Sequence, residues 1–235
     1  MERKISVIFS HEAVRKRFFC FFAKSNAKKD RINMNNCQEH EFVDLGLPSG
    51  TLWATCNVGA SKPEDYGDYF AWGETKTKDV YDWDTDKHAK GSIDILTKYC
   101  TDSCCGLNGF VDGMTVLESI DDAATANWGN DWRTPRKEQW DELMAHTNRE
   151  WTTMNGVEGW LFTSRSNGKR LFLPAAGYRW DGELNNAGSY GCYWSSSLYT
   201  SDPSYAWSFA FNAGNTGMSC DGRYDGQSVR AVREN

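Results

Sequence analysis

Gly191-Cys-Tyr-Trp-Ser-Ser-Ser197, Ala206-Trp-Ser-Phe-Ala-Phe-Asn212 and Gly226-Gln-Ser-Val-Arg-Ala-Val232 are three apolar anchors near the end of the chain, and they set its fold. In the second, Trp207, Phe209 and Phe211 alternate with Ala206, Ser208, Ala210 and Asn212. A period of two predicts a strand with an apolar core face and a small, polar opposite face. That second face is either a ligand face or the ordinary solvent side of a half-buried strand. Between the anchors the chain is rich in Ser, Tyr, Asn, Asp, Gly and Thr. Antibody paratopes use these residue types, because rigid aromatics supply area and small polar groups supply adaptable hydrogen bonds. The contrast predicts a scaffold that displays a binding surface.

The same period extends upstream through Trp160-Leu-Phe-Thr163, Arg170-Leu-Phe-Leu-Pro174 and Tyr193-Trp-Ser-Ser196, and downstream through Ser228–Arg233. Two further strands are expected near the start of the domain, at Thr51–Cys56 after a Pro-Ser-Gly turn and at Asp68–Gly73. Helices are expected in one region. Ser119–Asn127 has a Ser cap and acids in its first turn, and Thr134–His146 has Thr as cap, Pro next, and Trp140, Leu143 and Met144 at helical spacing. From Glu74 to about Thr115 no period is visible, which marks a long insert-like loop. The fold class is therefore α+β and loop-rich, with two short helices followed by an antiparallel sheet, over residues 40–235.

Charge divides the chain differently. Residues 1–36 hold nine Lys/Arg against three acids, and the rest holds 17 against 29. Residues 1–39 are expected to be a disordered or wrongly assigned basic extension, with Met34 as an alternative start. Arg15–Ala23 has the charged flank of an export signal but only a short apolar run. No apolar run approaches the ~18 residues that a membrane span needs, and an acidic body is a poor partner for nucleic acid. Thirty-three aromatic residues (11 Trp, 10 Tyr, 12 Phe) and a mean hydropathy of −0.66 fit an aromatic-rich strand framework.

Chemistry finds few handholds. Eight cysteines leave disulfide status open, and Cys100-x-x-x-Cys104-Cys105 lacks the second ligand pair of a structural zinc site. Asp82-x-Asp84-x-Asp86 lacks the glycine and distal Glu of a calcium loop. Asp121-Asp122 reads as an acidic helix start. The four His, at 11, 40, 88 and 146, are scattered, and no hydrolase or facial-triad motif occurs. No metal, no cofactor and no catalysis are expected.

Six ordered motifs carry a family resemblance: Val43-Asp-Leu-Gly-Leu-Pro-Ser-Gly-Thr-Leu-Trp-Ala54, Tyr66-Gly-Asp-Tyr-Phe-Ala-Trp-Gly-Glu74, Trp128-Gly-Asn-Asp-Trp-Arg-Thr-Pro135, Leu173-Pro-Ala-Ala-Gly-Tyr-Arg179, Gly191-x-Tyr-Trp-Ser-Ser196 and Ser228-Val-Arg230. Over roughly residues 41–233 the chain resembles the Fibrobacter succinogenes major paralogous domain, and more loosely the C-terminal domain of Legionella collagen-like adhesins. The resemblance implies a C-type-lectin-like fold related to that of the formylglycine-generating enzyme, and a cell-surface or secreted setting. The segment from Tyr193 onward is also similar to the variable proteins of diversity-generating retroelements, in which a fixed framework carries diversified ligand contacts. By that likeness Tyr199, Asp202, Ser204, Tyr205, Ser208, Ala210, Asn215, Ser219, Asp221, Tyr224 and Asp225 occupy such sites. Arg223 is expected to be exposed beside Tyr199, Asp202, Tyr205, Asp221 and Tyr224. Calcium-dependent lectins use Glu-Pro-Asn or Gln-Pro-Asp, and neither tripeptide occurs. The expected role is non-catalytic recognition of an unknown protein or glycan, adhesin- or receptor-like; the alternative is a degenerate or cryptic enzyme of the formylglycine-generating type.

Overall fold

The computed structural model describes residues 40–235, so the expectation for residues 1–39 lies outside the described residues. The fold is α+β, mostly strand with two α-helices among the described residues. Strands β1 (Phe42–Asp44), β2 (Leu52–Ala54) and β3 (Tyr69–Phe70) come first. Helices α1 (Ala123–Trp128) and α2 (Lys137–His146) follow. The remainder is strand: β4 (Thr147–Met154), β5 (Val157–Ser164), β6 (Arg170–Pro174), β7 (Tyr178–Trp180), β8 (Glu183–Asn185), β9 (Tyr190–Leu198), β10 (Tyr205–Asn212), β11 (Thr216–Gly222), β12 (Gln227–Ser228) and β13 (Val232–Arg233).

The expected single antiparallel sheet is divided. The strand orders are β11-β10-β9-β12-β3, β1-β2-β13, β4-β5-β6 and β7-β8. Pairing is antiparallel except where β12 meets β9 in parallel at Ser228 and Tyr193. The strand expected over Ser228–Arg233 is also split, because the chain crosses from the five-stranded sheet to the three-stranded one between β12 and β13. Arg230 makes that crossing. It is fully buried, and its guanidinium donates to Asn57 Oδ1 at 2.8 Å and to the carbonyls of Thr55 and Ala54 at 2.8 and 3.2 Å.

Both helices start later than expected. Asp122, not Ser119, caps α1, and it accepts from the Thr125 N–H at 3.1 Å and from the Thr134 N–H at 2.9 Å. Asp122 therefore joins two segments as well as capping a helix. Thr134 and Pro135 precede α2, whose start is held by the Arg136 N–H donating to Gln139 Oε1 at 3.0 Å. Trp140 and Leu143 are buried on one face of α2, as their spacing requires.

That face docks on the five-stranded sheet. Trp140 stacks on Phe209 with ring centroids 4.7 Å apart and tilts against Trp53 at 4.7 Å. Phe162, Leu171, Leu173, Tyr193 and Phe211 complete this cluster, drawing β5, β6, β9 and β10 into one core. A second cluster gathers Phe70, Trp72, Tyr99, Trp132 and Trp194. The five aromatics expected as framework, Trp53, Trp132, Trp194, Phe209 and Phe211, are all buried. Trp207 departs from expectation. It shares a strand face with Phe209 but is half-buried, edge-on to Tyr199 at 5.1 Å and under the Lys137 ammonium.

Residues 74–115 contain no α-helix or named strand, only a single 3-10 turn at Leu107–Gly109. They are nonetheless tied down. Leu96, Tyr99 and Cys100 are fully buried, and Asp121 anchors the segment by accepting from Lys87 Nζ and Lys98 Nζ, each at 2.6 Å, and from the Tyr99 hydroxyl at 2.8 Å. Burial works against the charge on Asp121, but these donors outweigh it and hold the carboxyl at about 2.

Candidate functional site

The polar face of β9–β10–β11 opens into two adjoining clefts that share Tyr190. The first has a volume of about 390 Å³. Its aromatic walls are Tyr178 and Trp180 from β7, Tyr190 from β9 and Tyr224 from the β11–β12 turn; Asn186, Cys192, Asp221, Asp225 and Gln227 supply the polar lining. The second, of about 300 Å³, runs along Ala210, Asn212, Asn215, Thr216 and Ser219.

Local sequence explains how the first cleft is built. Tyr224 lies over Gly222, where any Cβ would come within 2.6 Å of the ring, so glycine is required for that pose. Its other side rests on Trp83 of the 74–115 segment at 4.8 Å. The β7–β8 hairpin turns at Asp181-Gly182, with Trp180 opposite Glu183 and 54% exposed. Tyr81 braces this hairpin, its backbone bridging to Asp181 in both directions at 2.8 and 3.0 Å. The insert thus supports the cleft from behind.

Electrostatically the cleft is acidic. Burial, reinforced by the neighbouring Asp221, pushes the Asp225 carboxyl up to about 7. Burial also pushes the Cys192 thiol well up, with Asp221 and Asp225 adding to it, and raises the Tyr190 phenol. Such a thiol is protonated at neutral pH and a poor nucleophile. Asp221 Oδ2 accepts from Ser208 Oγ and from Gln227 Nε2, the latter at 3.0 Å. The assembly offers stacking surfaces and hydrogen-bond acceptors, with no His, Lys or Arg in its lining.

The residues expected from sequence separate into groups. Asp221, Tyr224 and Asp225 line the first cleft, and Ala210, Asn215 and Ser219 line the second. Ser208 lies beneath, fully buried and spent on Asp221. Tyr199, Asp202 and Ser204 belong to the β9–β10 connection and Tyr205 begins β10, and none of the four lines either cleft; Asp202 is occupied in accepting from the Ser204 N–H and hydroxyl at 3.0 and 2.6 Å. Ser204 is buried. Arg223 is a correction. It is fully buried, donates to the carbonyls of Lys98, Tyr99 and Pro203 at 3.1–3.2 Å, and stacks over Trp72. It ties the insert to the β9–β10 connection and cannot meet a ligand. Tyr178, Trp180, Asn186, Tyr190, Cys192 and Gln227 were not expected in a site; the signal for the first two was the Asp-Gly turn that follows them.

The acidity of the cleft has a measurable cost. An unfolded Asp ionises near 3.9. Because the folded value is raised, the stability that Asp225 leaves intact below about pH 4 is lost as pH climbs from 4 to 7. Asp225→Asn should therefore stabilise by about 1–2 kcal/mol at pH 8, allowing for screening at an open cleft, and be neutral at pH 4. Melting curves at the two pH values check this; equal shifts at both would refute it.

The sequence profile of a family described as Domain of unknown function (DUF8237) matches residues 152–233, a segment that contains every residue lining the two clefts. No curated protein and no solved structure matches the chain. The six cysteines among the described residues are free thiols, and among those residues no group of three or more His, Cys, Asp or Glu is placed to hold a metal ion. No helix among them is long and apolar enough to cross a membrane.

Proposed function

We propose that residues 40–235 are a non-catalytic recognition domain of C-type-lectin-like fold, binding a protein or glycan through the clefts on β9–β11. The observation that carries this reading is the composition of that face: aromatic walls at Tyr178, Trp180, Tyr190 and Tyr224 around Asn, Asp and Gln side chains, beside strand β10, which commits Phe209 and Phe211 on its other face to the core. Ligand sites are typically concave and aromatic, with a few convergent polar groups. A fixed framework under a Tyr-, Ser- and Asp-rich surface is also the division of labour in the retroelement-diversified receptors that the sequence resembles. On this reading the diversified contacts are Ala210, Asn215, Ser219, Asp221, Tyr224 and Asp225.

The test compares wild type with a Trp180→Ala/Tyr224→Ala variant on a glycan array and against cell-surface extracts. Ligands retained by wild type should be lost from the double variant, whose melting curve remains close to wild type because Trp180 is exposed and Tyr224 only half-buried. Retention of every ligand by the variant would place recognition elsewhere.

A further inference from the structure

The first cleft contains two carboxylates and nothing basic to answer them. Among the described residues, neither Asp221 nor Asp225 forms an ion pair with Lys, Arg or His. Asp221 spends one oxygen on Ser208 and Gln227, while the Asp225 carboxylate accepts no hydrogen bond among those residues. Gln227 is 1% exposed, and its Oε1 has no partner there either. The Gln227 oxygen is thus withdrawn from water without a donor, a costly state, while the half-buried Asp225 carboxylate is open to the cleft. This is an arrangement that a ligand bearing N–H donors and positive charge would relieve.

The walls point the same way. Ring faces attract cations held within about 6 Å of the centroid, and do so more strongly when the cation is partly desolvated. Trp180, Tyr178, Tyr190 and Tyr224 give the cleft four aromatic surfaces, and its volume of about 390 Å³ suits the end of a side chain or a small headgroup rather than a folded segment.

We propose that this cleft binds an alkylammonium group, with the charged head against Asp221 and Asp225 and the methyl or methylene groups against Trp180 and the tyrosines. The assignment rests on the recognition reading above and names the chemistry that the first cleft selects. It also makes binding pH-dependent. The titratable groups facing Asp225 are Asp221, Tyr178, Tyr224 and Cys192; burial keeps the tyrosines and the thiol protonated through neutral pH, and Asp225, raised to about 7, changes charge between pH 6 and 8.

The experiment titrates the full chain by calorimetry with four probes: N-acetyl-lysine methylamide, its Nε-trimethyl form, phosphocholine, and 3,3-dimethylbutanol as an uncharged counterpart of the quaternary head. At pH 8 at least one ammonium probe should bind about tenfold or more tightly than the alcohol, and Asp225→Asn should remove about that factor. Binding should weaken about tenfold on moving from pH 8 to pH 6 in wild type, and not in Asp225→Asn. Preference for the lysine probes would identify a protein ligand, and preference for phosphocholine a lipid-type headgroup; both support the assignment. Equal binding of the alcohol, no binding of any ammonium probe, or displacement of the ammonium by equimolar calcium would overturn it. Failure here, together with loss of array ligands from the Trp180→Ala/Tyr224→Ala variant, would reject the ammonium while leaving the recognition reading in place.

Discussion

Phe209→Ala should destabilise the protein by about 3–5 kcal/mol, the usual cost of deleting a fully buried aromatic. The ring is stacked on Trp140 and lies 6.1 Å from Phe162 and 5.7 Å from Phe211, so its removal opens a void where α2, β5 and β10 meet. At the size of the described body this corresponds to a fall in melting temperature of roughly 10 °C or more. Thermal and urea denaturation followed by near-ultraviolet circular dichroism measures it. A loss below about 1 kcal/mol would mean that the helix does not dock on this strand face.

The second large effect concerns Arg223, which sequence reasoning places on the ligand face and the structure places in the interior. Arg223→Ala removes the donor shared by three carbonyls, from Lys98, Tyr99 and Pro203, along with a guanidinium seated 5.0 Å above the Trp72 ring. With each abandoned buried acceptor costing about 1 kcal/mol or more, the expected loss is about 3–5 kcal/mol. Arg223→Lys should recover only part of it, because an ammonium cannot reproduce the planar fork. Limited proteolysis should show new cuts within residues 74–115, the segment that Arg223 fastens. A stable, protease-resistant Arg223→Ala protein with lost binding would restore the sequence expectation.

Arg223 shows where sequence ceased to be informative. An arginine in a polar stretch reads as solvated, and nothing local announces that its acceptors are backbone carbonyls more than a hundred residues upstream and some twenty upstream. The framework was easier. Phe209 and Phe211 stand in a period-two run whose alternation puts them inside, whereas Trp53 and Trp194 are marked by the family motifs that hold them, since β2 and most of β9 are buried on both faces. Trp207 obeys the same period yet stays half-buried, because it sits beside the Tyr199 connection at the end of the strand. The helix starts were misplaced for a tertiary reason, since Asp122 reaches both Thr125 and Thr134.

β1, β4, β7, β8 and β11 are not anticipated by the sequence reading, although the turns that close β4–β5 and β7–β8 are written in the sequence. Asn155-Gly156, with φ of 50° and 87°, closes the β4–β5 hairpin, and Asp181-Gly182 closes β7–β8. β4, β7 and β8 carry too few apolar residues to alternate visibly, and Tyr178 and Trp180 are hidden with β7. Tyr190, Cys192 and Gln227 were hidden differently. They flank or fall within the anchor motifs and read as scaffold, and only the placement of β7–β8 beside β9 turns one side of that scaffold into a cleft.

The most direct test of the central claim is the affinity of one ligand retained in the array or extract screen, titrated against wild type, Trp180→Ala and Tyr224→Ala at constant salt. Aromatic anchors at the centre of an interface commonly carry about 2 kcal/mol each, so each substitution should weaken binding roughly 30-fold while melting temperatures stay near wild type. Unchanged affinity in both variants, with loss instead on substituting the exposed Phe110 and Val111 of the 74–115 segment, would contradict the account and move recognition off the β9–β11 face.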